Sequence, residues 1–134
     1  DKETSRGRKD VEMVQKLQPN DAWMANHLCY QLALADLAKE GLPQCDRALA
    51  INPDPEIYDS RGFANLRLKR PEDALKDYNQ TLAKNPKHAL AMYGRCVALS
   101  QLKQTREAQI DCEDARALDP GAESFFAEHG LKAR

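Results

Sequence analysis

The stretch "QCDRALAINP", residues 44–53, returns as "DCEDARALDP", residues 111–120. Each copy places a cysteine, Cys45 or Cys112, where a helix buries an apolar side chain, and each closes on Asn-Pro or Asp-Pro. A phrase that recurs in this way is the mark of a repeat architecture, and the closing proline serves as its ruler. Pro19, Pro53, Pro86 and Pro120 fall at steps of 34, 33 and 34. Five residues before each proline stands Val14, Ala48, Thr81 or Ala115; eight before stands Val11, Cys45, Tyr78 or Cys112. Twelve before stands Gly7, Gly41, Ala74 or Ala108. Four columns in register over four copies define the period.

Each period reads as two helices. In the second unit the first helix is "PEIYDSRGFANLRLK", with Asp54 as its cap and Pro55 at the tolerated first position. Its second helix is "PEDALKDYNQTLAKNP", opened by Pro71. The third unit repeats the plan as "KHALAMYGRCVALSQLK" and "TREAQIDCEDARALD", with Thr105 as the expected cap. The first unit reads as "AWMANHLCYQLALADLA" and "LPQCDRALAIN". Asn-Pro or Asp-Pro ends each second helix because the residue before proline avoids the helical region.

The bulk numbers narrow the function classes. Twenty basic residues against 21 acidic ones give a net charge of −1, which argues against a general nucleic-acid binder, since such proteins need a basic face to displace phosphate counterions. No run of about 18 apolar residues exists, so no membrane span is expected. No signal peptide is visible, and the opening on Asp1 rather than Met reads as a processed or excised product. No Ser-His-Asp arrangement, phosphate loop or paired-carboxylate constellation stands out; no catalytic residue, cofactor or metal is therefore assigned. His27, His88 and His129 are scattered one per unit junction without ligand spacing.

The pattern resembles the tetratricopeptide repeat (TPR) family in its period, in Gly62 at the helix contact, in Tyr78, in the phrase "EDALKDYNQTL" and in the closing prolines. The resemblance covers nearly the whole chain and implies an all-α, right-handed α-solenoid of antiparallel hairpins. Residues 1–134 then form one array. Its parts are 7–19 (the second helix of an earlier repeat), 22–55, 56–88 and 89–122 (repeats), and 123–134 (a capping first helix). In that last segment Phe126 and Gly130 align with Tyr58 and Gly62. Ala25, Met92 and Lys84 depart from the family pattern.

Cys29 and Cys45 are 16 residues apart, as are Cys96 and Cys112, and an antiparallel hairpin sets each pair face to face across its own turn. Three readings stay open at this level. Free cysteines pack as small apolar residues. Two disulfides, Cys29–Cys45 and Cys96–Cys112, are feasible where helices approach most closely. A zinc site would need four converging ligands, which pairs two repeats apart do not supply. Reduced thiols would place the protein in the cytoplasm; paired ones would place it in the periplasm or outside the cell.

The resemblance also implies a binding groove on the concave face, lined by the first helices. Matching residues are Trp23, Asn26, His27 and Tyr30, then Asp59, Ser60, Phe63 and Arg67, then Leu90, Tyr93, Val97 and Gln101. Trp23, Tyr30 and Phe63 are expected to be partly exposed there. The expected occupant is a protein or peptide partner, bound without catalysis. Heat-shock chaperone tails are disfavoured, because Asn26, Tyr30, Ser60, Leu90 and Gly94 occupy positions where the carboxylate-gripping members carry Lys, Asn and Arg. Arg61 and Arg95, in the next column, read as structural. The alternative is a structural or regulatory module of a longer protein, self-associating through its open ends by Phe125 and Phe126.

Overall fold

The computed structural model describes Gly7, Lys9 and residues 21–133, and among these it holds seven α-helices and no strand. They are α1 (Ala22–Leu34), α2 (Ala38–Ile51), α3 (Pro55–Arg67), α4 (Pro71–Lys84), α5 (Ala89–Gln101), α6 (Thr105–Leu118) and α7 (Gly121–Glu128). The half-repeat expected over 7–19 lies outside the described residues apart from Gly7 and Lys9, both helical.

Local chemistry sets the boundaries. Asp21 Oδ1 accepts from Met24 N at 3.0 Å and Asp54 Oδ1 from Glu56 N at 2.9 Å. His88 Nδ1 accepts from Ala91 N at 3.1 Å, so an imidazole caps α5 where an aspartate caps α1 and α3. Each hairpin turns through one left-handed residue, Asp36 (φ 62), Lys69 (φ 60) or Lys103 (φ 65). The next amide reaches back five residues, from Leu37 to Leu32 O, Arg70 to Asn65 O and Gln104 to Leu99 O, which closes the Schellman motif. Gly130 (φ +72), followed by Leu131 N to Phe126 O at 2.9 Å, ends α7 in the same way. Gly130 is thus a turn glycine and not a counterpart of Gly62; nothing lies within 4 Å of a Cβ built on it.

Asn52, Asn85 and Asp119 leave the helical region before their prolines, as the Xaa-Pro rule requires. The first hairpin's inner boundaries differ from the sequence reading: α1 ends at Leu34, not Ala38. Thr105 is the first residue of α6 rather than its cap, which is Gln104. α2 starts at Ala38, not Leu42, and carries Pro43 inside it. Packing decides this, because Gly41 must lie in the helix to meet α1. A Cβ on Gly41 would fall 2.9 Å from Cys29 O and 3.0 Å from Leu32 Cβ.

Helices α1–α2, α3–α4 and α5–α6 form antiparallel hairpins that stack in order. The first helices α1, α3, α5 and α7 touch in succession, while α2, α4 and α6 do not touch one another. The array therefore has an inner layer of first helices and an outer layer of second helices. At the level of closest approach the three hairpins solve one packing problem in two ways. In the middle one, the fully buried Tyr78 ring lies against Gly62. In the flanking two, a disulfide takes that place. Cys29–Cys45 and Cys96–Cys112 each have Cα atoms 5.4 Å apart.

Between the layers, Arg61 Nη2 pairs with Asp77 Oδ1 at 2.8 Å, and Asn65 Nδ2 donates to the same carboxylate at 2.9 Å. One repeat on, Arg95 Nε pairs with Asp111 Oδ2 at 2.7 Å. Both arginines are thus structural. Their outer nitrogens reach the preceding hairpin at Asp46 and Asn79, respectively.

Candidate functional site

The inner layer divides into a filled half and an open half. Helix α7 packs on α5 and α6 as the next first helix of the array would. It is turned so that its aromatic residues also reach α3. The Phe63 ring centroid lies 5.3 Å from that of Phe125 and 6.1 Å from that of Phe126. Tyr93 stacks on Phe126 at 5.4 Å and approaches Glu123 with its hydroxyl. Arg67 donates from Nη1 to His129 O at 2.7 Å and from Nε to Ala33 O at 3.1 Å.

These contacts correct part of the expected groove. Phe63 is 2% exposed rather than partly exposed, Tyr93 is 4% and Val97 is 0%. Arg67 ties helix ends together instead of facing a ligand. Gln101 is exposed at the far end of α5, away from the pocket. Phe125 and Phe126 are engaged within the chain, with Phe126 at 1% exposure, so they do not form an open stacking surface. The physical reason is length: the chain runs on past α6 far enough to lay an eight-residue apolar helix over the inner face.

The open half is a pocket of about 430 Å³ between the N-terminal portions of α1, α3 and α5. It is lined by Trp23, Asn26, His27, Tyr30, Glu56, Asp59, Ser60, His88 and Leu90. Trp23 stands 50% exposed at its rim, although it is the chain's only tryptophan. Tyr30 forms the wall toward the filled half, 5.7 Å from Phe63 centroid to centroid. Ser60 is turned back on its own helix, donating to Glu56 O at 3.2 Å.

The pocket's polar centre is a cluster of Glu56, Asp59 and His88, with one heteroatom of each lying within 4.8 Å of the other two. Glu56 Oε1 is 3.0 Å from His88 Nε2. Because Nδ1 accepts the Ala91 amide, a neutral His88 carries its proton on Nε2 and donates it to Glu56. That nitrogen has no lone pair to offer a metal ion unless the α5 cap breaks. Burial pushes the Asp59 carboxyl up to about 7; His88 pulls it down and the Glu56 carboxylate adds to the rise. Burial first and then the Asp59 charge also raise the Tyr30 phenol. Asn26 Oδ1 is shut from solvent without a hydrogen-bond partner.

The sequence reading did not join His88 to this cluster. Its signal was present in the cap column Asp21, Asp54, His88, at steps of 33 and 34. A cap at the start of α5 lies beside the first turn of α3, where Glu56 is.

No family model matches the chain. The DnaJ homolog subfamily C member 7 homolog of Schizosaccharomyces pombe is 36% identical over 77 residues. That match takes in 54% of this chain but 16% of the relative, so the chain spans a small part of that protein's length. Among solved structures, the crystal structure of MamA superposes with a TM-score of 0.74 at 18% identity, over 90% of this chain and 75% of the other. A second, MamA MSR-1 C2, gives 0.73 at 18% identity, over 89% and 69%. At such identity the likeness is one of fold.

Proposed function

We propose that the chain, an α-solenoid of tetratricopeptide-repeat type, is an interaction scaffold that receives a segment of a partner protein in the open half of its concave face. The observation that carries this is Trp23, half exposed on the rim of a pocket that the chain's own C-terminal helix leaves free. Aromatic side chains give large contact area at low entropy cost and concentrate binding energy at interfaces. Asn26, His27, Tyr30, Asp59, Ser60 and Leu90 line the same pocket with mixed polarity, as peptide recognition needs. The role is binding, not catalysis. No helix among the described residues is long and apolar enough to cross a membrane.

Two disulfides support a site of action in an oxidising compartment, the periplasm or outside the cell. The test compares proteins captured by the oxidised chain with those captured by its Trp23→Ala variant. Partners that depend on Trp23 support the reading; an identical set of bound proteins sinks it.

A further inference from the structure

Three cationic side chains near the inner face are committed elsewhere. Arg61 is held by Asp77 and Asp46, Arg95 by Asp111, and Arg67 by Asp36 and two carbonyls. The pocket wall offers no lysine or arginine at all. Asp59 consequently has no ion pair and no hydrogen bond among the described residues, although it sits in a crowded site beside the Glu56 carboxylate. A half-buried carboxylate that loses hydration without gaining a donor is costly. His88 answers only part of that demand, since its Nε2 proton goes to Glu56. The rings of Trp23 and Tyr30 line the same pocket, and the faces of such rings attract cations.

We infer that the pocket is a subsite for a cationic side chain, a lysine or arginine of the partner segment, held between the Glu56 and Asp59 carboxylates and the Trp23 and Tyr30 rings. This rests on the pocket being the ligand site. It assigns that site the charge opposite to one that grips a C-terminal carboxylate. The donors of an ammonium or guanidinium group would meet the Asp59 carboxylate, which now lacks one. Asp59, which burial holds near neutrality, would ionise fully as the cation enters.

The test selects random dodecapeptides displayed on phage against the oxidised chain and, in parallel, against a Glu56→Gln/Asp59→Asn variant whose helicity is checked by circular dichroism. Selected peptides are then synthesised and titrated by Trp23 fluorescence, each beside a copy with lysine acetylated or arginine replaced by citrulline. The expected result is a pool enriched in lysine and arginine, at least tenfold weaker binding once the cation is neutralised, and loss of the enrichment on the variant. A Glu72→Gln/Asp73→Asn control, altering exposed carboxylates on α4, should bind as the unaltered chain does. Equal weakening by that control would mean diffuse attraction and overturn the inference. A neutral or acidic pool with saturable Trp23 response would overturn it too, while leaving the scaffold reading intact. No enrichment at all would remove both.

Discussion

Phe63, on the inner face of α3, lies 5.3 Å centroid to centroid from Phe125 of α7. That contact, with Phe126 beside it, decides which part of the concave face is open. Phe126 is 1% exposed and also contacts Tyr93, so Phe126→Ala should cost about 3–4 kcal/mol, the usual loss for a buried phenylalanine. Urea unfolding would measure it. The change lies away from the Trp23 pocket, so ligand response at that pocket should persist. A loss below about 0.5 kcal/mol would mean that α7 does not pack there in solution.

Tyr78 and Gly94 are interlocked across the second and third hairpins. A Cβ on Gly94 would overlap the Tyr78 ring carbon Cζ and fall 2.6 Å from Cε2 and from the hydroxyl oxygen, while on the Gly62 side a Cβ would itself lie only 3.0 Å from the ring. Gly94→Ala should therefore destabilise by about 1–3 kcal/mol, despite alanine's better helix propensity, because overpacking outweighs it. A Gly94→Ala/Tyr78→Phe pair should keep most of that overlap, because the ring carbons Cζ and Cε2 remain in place. Calorimetric midpoints of the three proteins would check the order.

Each disulfide closes a 16-residue separation, for which the chain-entropy model gives about 3 kcal/mol. Denatured, unreduced protein should show no titratable thiol among its four cysteines. Reduction should lower the melting midpoint, and Cys96→Ser/Cys112→Ser should lower it by a part of that shift. Four reactive thiols in protein isolated from its native compartment would exclude the oxidising location.

The pH dependence has a defined sign. Asp59 is raised from 3.8 to about 7 in the folded chain. The folded state therefore holds a proton that the unfolded state has released between those values. That contribution to stability is full below about pH 4 and is lost as pH rises through about 7. Asp59→Asn should match the unaltered chain near pH 4 and exceed it by about 1–2 kcal/mol at pH 8, less than the full linkage value because the site is open to solvent on one side. The groups facing Asp59 are Glu56 on α3, His88 at the start of α5, Tyr30 on α1 and Tyr78 on α4. Melting curves of both proteins between pH 4 and 8 would test this; parallel curves would refute it.

Much of the fold can be read from residues that act locally. The turn at Asp36–Leu37, the caps Asp21 and Asp54 and the exits at Asn52, Asn85 and Asp119 follow from side chains and dihedrals within one turn of themselves. The disulfide geometry was legible for a related reason: a constant offset of 16 residues across an antiparallel hairpin fixes which positions face. Pro43 misled the reading of α2, since propensity starts a helix at proline whereas Gly41 is needed one turn earlier against Cys29.

For the site, the period marked out the first helices, and the family resemblance implied that Trp23, Asn26, Tyr30 and Asp59 on them face the groove. What it could not give was which of them remain accessible. That depends on α7, eight residues whose apolar face could have docked on another molecule as well as on Phe63 and Tyr93. Nor could it bring His88 to Glu56 at 3.0 Å, a meeting that exists only when one hairpin stacks on the next. The sequence by itself determined the helices, their hairpins and the facing cysteines, all set by contacts near in the chain. The tertiary structure alone decided the shape and charge of the open pocket, because these arise from packing between residues distant in sequence.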